Sequence, residues 1–215
     1  MEDVCKRDVK IPAGNRYLEG RLVVPGNARG LIVFVHGNGS SRFSPRNALV
    51  AHKLQPAGFG TLLFDMMTAM EEKDPVWSRD IGLLSDRLKT VTEWIGHQAG
   101  AQGLPTAYFG SSTGAAVAVA ASLYSKKPYA IVSRGGRIDL VEKLLPRLDT
   151  PIQLIAGKKD PEVLALNRAA YPQIRAVKKL SVIHDASHLF EEPGCLDKVA
   201  QLAVEWFTRH LPNHE

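Results

Sequence analysis

Only two cysteines, Cys5 and Cys195, occur in the 215 residues. A single pair cannot staple a fold together, and their separation matches no zinc-binding spacing. A disulfide scaffold and a structural zinc site are therefore excluded, and the scarcity of thiols suits a reducing compartment. Long apolar runs are equally absent. Those present, such as Leu31-Ile32-Val33-Phe34-Val35, are far too short to span a bilayer. The opening segment Met1-Glu2-Asp3-Val4-Cys5-Lys6-Arg7-Asp8 is charged where a secretory signal would be apolar. A cytoplasmic protein with no membrane partner is the expectation. Concentrated charge is missing too. The net excess is +5, but Lys126-Lys127, Lys158-Lys159 and Lys178-Lys179 are scattered along the chain. That pattern reads as a solvated basic surface, with no nucleic-acid partner. No Gly-Lys-Ser/Thr phosphate loop and no His-Glu-x-x-His pair is present. Gly37-Asn38-Gly39-Ser40-Ser41-Arg42 opens like a dinucleotide fingerprint, but Arg42 stands where the third glycine is required.

What remains is an ordinary globular composition, 45% hydrophobic and 23% charged. Its length suits one domain over residues 1–215 with an ample core. Short β-branched or aromatic runs alternate with longer helical patterns. Residues 9–11 and 17–24 read as opening strands; 31–35, 61–64, 107–109, 130–132, 152–155 and 180–183 read as buried ones. Helical stretches fall at 45–55, 81–97, 115–125, 139–145, 162–171 and 196–210. Leu84, Leu88, Val91 and Ile95 show the helical period, with Asp86, Arg87, Lys89 and Glu93 facing elsewhere. This order implies an α/β fold: a doubly wound, mostly parallel, eight-stranded sheet with helices on both faces. Chemistry in such sheets gathers at the carboxyl ends of the strands.

After the strand ending at Phe109 comes Gly110-Ser111-Ser112-Thr113-Gly114 and then an alanine-rich helix. This is Gly-x-Ser-x-Gly, the nucleophile elbow. A serine in so sharp a strand-to-helix turn needs neighbours without side chains two positions away on either side. With 18 Gly and 12 Ser, about 0.08 chance matches arise in this chain, and the strand and helix on either side supply the context. The bland alternative is a tight turn with a capping serine. Ser111 lacks the glycine spacing and reads as structural.

A nucleophilic serine needs a base. The last predicted strand leads into His184-Asp185-Ala186-Ser187-His188-Leu189-Phe190, and His188 occupies the base position, with His184 as rival. A His-x3-His metal pair would need a helix here, and the segment reads as loop, so no metal is expected. His52, His97, His210 and His214 fall on helical or terminal stretches and read as surface residues. The base needs a carboxylate in turn. Gly157-Lys158-Lys159-Asp160-Pro161 follows the preceding strand and offers Asp160, against rivals Asp139, Asp185 and Asp65. The order Ser112, Asp160, His188 belongs to α/β-hydrolases. His36-Gly37-Asn38-Gly39-Ser40 ends the first buried strand, where the amide of Asn38, with that of Thr113, can receive an oxyanion. His36 reads as a brace for that loop.

On these motifs the sequence resembles a small, uncapped α/β-hydrolase of the dienelactone-hydrolase-like branch over nearly its whole length. Ser133-Arg134-Gly135-Gly136-Arg137 and His188-Leu189-Phe190-Glu191-Glu192-Pro193-Gly194 also resemble a bacterial subgroup of unassigned substrate. Relatives in that subgroup can be joined to phosphoribosyltransferase domains, of which these residues show no sign. True dienelactone hydrolases carry cysteine at the elbow where Ser112 stands, and epoxide hydrolases and haloalkane dehalogenases carry aspartate. The resemblance implies a serine hydrolase acting on a small-molecule ester or related acyl compound, without metal or organic cofactor. The rival from another class is a hydrolase-fold protein that binds a ligand or partner without turnover.

Two finer expectations concern access and charge. The interval from the strand near Val132 to the one at Ile152 leaves room for one connecting helix and no large cap. The irregular stretch 66–79, with Glu71, Glu72, Asp74 and Trp77, would then form a partial wall. Arg42, Arg134, Arg137, Lys158 and Lys159 all follow strand ends and would ring the mouth as a rim for an anionic substrate group. Their alternative is pairing with Glu71, Glu72, Asp74 or Glu191.

Overall fold

The computed structural model describes residues 4–124 and 126–212. Ser125, at the end of one predicted helix, lies outside them, as do Met1-Glu2-Asp3 and His214. The apolar runs become the middle of one sheet. β3 (Gly30–Val35) and β4 (Phe59–Phe64) are buried at every position, as strands covered on both faces must be. Pleating shares β3 between two cores. Leu31, Val33 and Val35 join α3 (Ile81–Ile95) and α4 (Thr113–Ala121) on one face. Ile32 and Phe34 join α1 (Pro45–Leu54) and α6 (Cys195–His210) on the other.

β1 (Cys5–Ala13) and β2 (Arg16–Val24) form an antiparallel hairpin, and β2 pairs antiparallel with β4. From β4 onward every pairing is parallel, through β5 (Thr106–Ser111), β6 (Ile131–Arg134), β7 (Ile152–Gly157) and β8 (Lys178–Ile183). The spatial order is β1-β2-β4-β3-β5-β6-β7-β8, with β1 and β8 at the edges. β4 lies on one side of β3 and β5 on the other, so the order reverses there, the switch point at which doubly wound sheets place their ligand crevice. The expected doubly wound sheet is the one observed. Among the described residues no helix is long and apolar enough to cross a membrane.

Two local expectations need correction. Residues 139–145 are not an α-helix but part of a 3-10 stretch, Ile138–Arg147, which bends at Val141 and contains Pro146. Proline lacks the N–H that a continued α-helix would use, and its ring crowds the preceding turn. The stretch 66–79 is more ordered than expected. It holds a 3-10 turn at Glu71–Lys73 and the short α2 (Pro75–Arg79), which Asp74 caps by accepting from the Val76 amide at 3.0 Å.

Glu71 explains the order in that stretch. Its carboxylate is almost fully buried and takes Arg16 at 2.6 Å and Arg87 at 2.5 Å, while the Thr68 amide donates to it at 2.8 Å. The acid expected in the wall is therefore a buried link from β2 to α3. Burial alone would raise this carboxyl, but hydrogen bonds from Arg87 and Thr68 outweigh it and hold it down at about 2. The folded value lies below the unfolded one, so this stabilisation is complete above about pH 4.5 and drains away as pH falls toward 2. Glu71→Gln is expected to cost about 3 kcal/mol at pH 7, because two arginines lose their counter-charge. It should also flatten the fall in melting temperature between pH 4.5 and 2, as thermal denaturation across that range will show.

Candidate active site

The elbow is shaped by what its glycines lack. A Cβ on Gly114 would lie 2.1 Å from the Val35 carbonyl oxygen, and one on Gly110 would lie 2.6 Å from Cα of Ala115. Neither contact can be relieved by turning a side chain. The first turn of α4 thus sits directly on the ends of β3 and β5. Ser112 between them adopts φ 51° and ψ −126°, a region that L-residues occupy only when the surroundings force it. Its backbone is pinned to the β6 loop: its N–H donates to the Arg134 carbonyl at 3.1 Å, and its own carbonyl accepts from Arg137 N–H at 3.0 Å. Ser112 stays partly exposed, whereas Ser111 is buried in the sheet.

His188 and Asp160, the candidate base and acid, come from two loops laced together. Lys158 N–H donates to the Ile183 carbonyl and Lys159 N–H to the Ala186 carbonyl, both at 2.9 Å. Gly157 permits this approach, since a Cβ there would meet the Ala186 oxygen at 2.3 Å. Asp160 then divides its two oxygens. Oδ1 accepts from the Val163 amide and caps α5 (Pro161–Ala170), and Oδ2 accepts from Nδ1 of His188 at 2.7 Å. That bond fixes the tautomer and leaves Nε2 as the acceptor available to a nucleophile. The rivals are placed elsewhere. The His184 side chain is 74% exposed, and Asp65 and Asp139 are engaged by Arg42 and Arg137.

The His188 ring packs against the β6 loop, which also holds the Ser112 backbone. A methyl on Gly135 would lie 3.7 Å from Cε1 of the His188 ring and 3.3 Å from the Phe190 ring. Phe190 itself has φ 60° and is fully buried, so its side chain anchors a strained turn immediately after the base. Glu192 holds the same turn from outside by accepting from the Ser187 N–H at 3.0 Å, which lowers its carboxyl below the usual range. Neither Phe190 nor Glu192 was assigned a role from sequence. The only signal was their position in the segment that resembles the bacterial subgroup.

The oxyanion loop needs a refinement. Thr113 N–H has no hydrogen-bond partner among the described residues. The Asn38 N–H, in contrast, donates to the Thr113 hydroxyl at 2.9 Å. His36 braces this loop as expected: its Nε2 accepts from Met66 N–H at 3.1 Å, and its Nδ1 donates to the Gly37 carbonyl at 2.9 Å. Burial lowers its pKa and keeps the ring neutral.

The cationic rim is partly paired. Arg42 is taken by Asp65 and by Glu19, Arg137 forks onto Asp139 at 2.9 Å, and Lys158 meets Nε2 of His184 at 2.6 Å. Arg134 is buried, which pulls its guanidinium down to about 10, and it lies 5.8 Å from the Phe190 ring. Lys158 and Lys159 are both exposed, and neither makes an ion pair with a carboxylate among the described residues. The acids that neutralise this rim, Glu19, Asp65 and Asp139, are not those the sequence suggested.

No family model matches the chain. A crystal structure of a dienelactone hydrolase from Anabaena variabilis matches it at 45% identity and TM-score 0.92, covering 97% of this chain and 99% of that one. The chain belongs to the dienelactone-hydrolase-like α/β-hydrolases. Two Mycobacterium tuberculosis sequences, provisionally named phosphoribosyl transferase, are 46% identical over 95% of this chain, which spans about half (46%) of their length. A cold-adapted esterase from an Arctic intertidal metagenomic library shares the fold at TM-score 0.79 and 15% identity, covering 97% of this chain and 95% of that one. Within this dienelactone-hydrolase-like site, Glu192 is expected to position the base. Glu192→Ala should lower kcat between about 10- and 100-fold with KM nearly unchanged, and Glu192→Gln, which retains an acceptor, should recover most of it.

Proposed function

We propose that the chain is a serine hydrolase that cleaves a carboxylic ester or related acyl compound through an acyl-enzyme on Ser112. The observation that carries this reading is the His188–Asp160 hydrogen bond of 2.7 Å, together with a partly exposed serine held at positive φ in a Gly-x-Ser-x-Gly turn. The similarity to a dienelactone hydrolase and the fold shared with esterases support hydrolysis at an acyl carbon.

In this reading Nε2 of His188 takes the Ser112 proton as Oγ bonds to the carbonyl carbon, and the carbonyl electron pair moves to oxygen. The Thr113 N–H donates to that oxyanion. The Asn38 N–H joins it once the Thr113 hydroxyl turns away, the two forming a pair of backbone donors. Collapse expels the alcohol, which leaves with the proton from Nε2. Water then repeats the sequence: His188 takes its proton, the acyl carbon accepts hydroxide, and Ser112 is released with its proton restored. Asp160 stays ionised and holds Nδ1–H throughout.

Labelling with a fluorophosphonate probe, followed by mass spectrometry, should place the adduct on Ser112. Ser112→Ala should abolish it and cut kcat/KM on a short-chain ester by about four orders of magnitude or more, with thermal stability retained. Asp160→Asn should cost on the order of 10⁴-fold, because the amide presents the wrong partner to Nδ1. Undiminished turnover in Ser112→Ala overturns the mechanism.

A further inference from the structure

A cavity of about 320 Å³ opens beside the oxyanion loop, lined chiefly by Asn38, Ser40, Ser41, Met67, Glu72 and Ser78. It begins next to the nucleophile. Asn38 donates to the Thr113 hydroxyl, and a Cβ on the preceding Gly37 would lie 2.9 Å from Cβ of Ser112. Three hydroxyls and an amide make its walls polar, and buried Met67 adds an apolar patch. No lysine or arginine lines it among the described residues.

The cavity's one charge is unspent. Glu72 is exposed, and its carboxylate has no hydrogen bond or ion pair among the described residues. The neighbouring acids are all occupied: Glu71 by Arg16 and Arg87, Asp65 by Arg42, and Asp74 by the start of α2. An ionised carboxylate accepts hydrogen bonds and cannot donate them. It attracts hydroxyl and ammonium hydrogens and repels a second carboxylate at short range. Of the rim cations, the arginines Arg42 and Arg137 are already neutralised, and neither Lys158 nor Lys159 lines this cavity.

We infer that this cavity receives one arm of the ester and selects arms that donate hydrogen bonds, hydroxyl-bearing or ammonium, with Glu72 as the specificity residue. The inference rests on the serine-hydrolase reading and adds a substrate class to it. It reverses the anionic preference that the basic residues suggested.

The test uses the full chain and matched acetates of 1-propanol, glycerol, 2-(dimethylamino)ethanol and lactate, with methyl esters carrying comparable arms on the acyl side. Wild type should favour the glycerol and dimethylaminoethyl arms over the lactate arm by about tenfold or more in kcat/KM, in at least one series. Glu72→Gln should narrow that ratio and Glu72→Lys should invert it. Added salt should erode the ammonium preference and spare the hydroxyl one, which separates the two chemistries. A wild-type preference for lactate or propyl arms in both series overturns the inference. So do ratios that ignore both Glu72 variants while Ser112 still takes the fluorophosphonate. Loss of labelling at Ser112 in the wild type is a different failure, and removes the serine-hydrolase reading beneath it.

Discussion

Three missing side chains hold the catalytic end of this sheet together. At Gly37, Gly110 and Gly114 a Cβ would fall 2.9, 2.6 and 2.1 Å from its nearest neighbour, and two of those neighbours are backbone atoms. Their absence lets the end of β3, the end of β5 and the start of α4 occupy almost the same place. Ser112 has no ordinary conformation left in that junction. Its positive φ costs on the order of 1–3 kcal/mol. That cost is offset by α4, whose residues from Gly114 to Ala121 are all buried against the sheet. The strain at Ser112 and the packing of the helix are one arrangement.

Asp160 and His188 are assembled separately from Ser112, and both sides lean on the β6 loop. Backbone bonds between the β7 and β8 loops set the distance from Asp160 to His188 before any substrate arrives. The β6 loop is the shared ground. Its backbone grips Ser112 at Arg134 and Arg137, and Gly135 leaves room for the His188 ring above it. Asn167 ties α5 to the same loop by donating to the Gly136 carbonyl at 2.9 Å. Buried Arg134 completes the connection, donating to the Leu189 carbonyl beneath the base loop. Rigid elements thus position both halves of the candidate triad.

The sheet, the elbow and the acid–base pair were legible because each depends on a local signal: apolar runs, glycine spacing, or the order of loops after strands. The charged rim was not legible. Whether Arg42 is free depends on Asp65, which reaches it from the next parallel strand, and on Glu19 from the hairpin. No periodicity in the sequence reports that meeting. Glu71 and Glu72 make the same point side by side, one buried between two arginines and the other facing a cavity. The bend at Val141 was partly legible, because Pro146 already argues against a continuous helix. The larger corrections fall on side-chain partners brought together by the fold, and the strand order is untouched.

The two edge strands give the basic excess another meaning. β1 carries Lys6, Arg7 and Lys10, and β8 opens with Lys178-Lys179. Each edge presents unpaired backbone groups to solvent, and such a row is a template on which another chain could add a strand. Like charges along both borders repel an incoming copy at the places where it would dock. Part of the +5 surplus therefore lies along the sheet's margins, where a strand added by another chain would have to meet it.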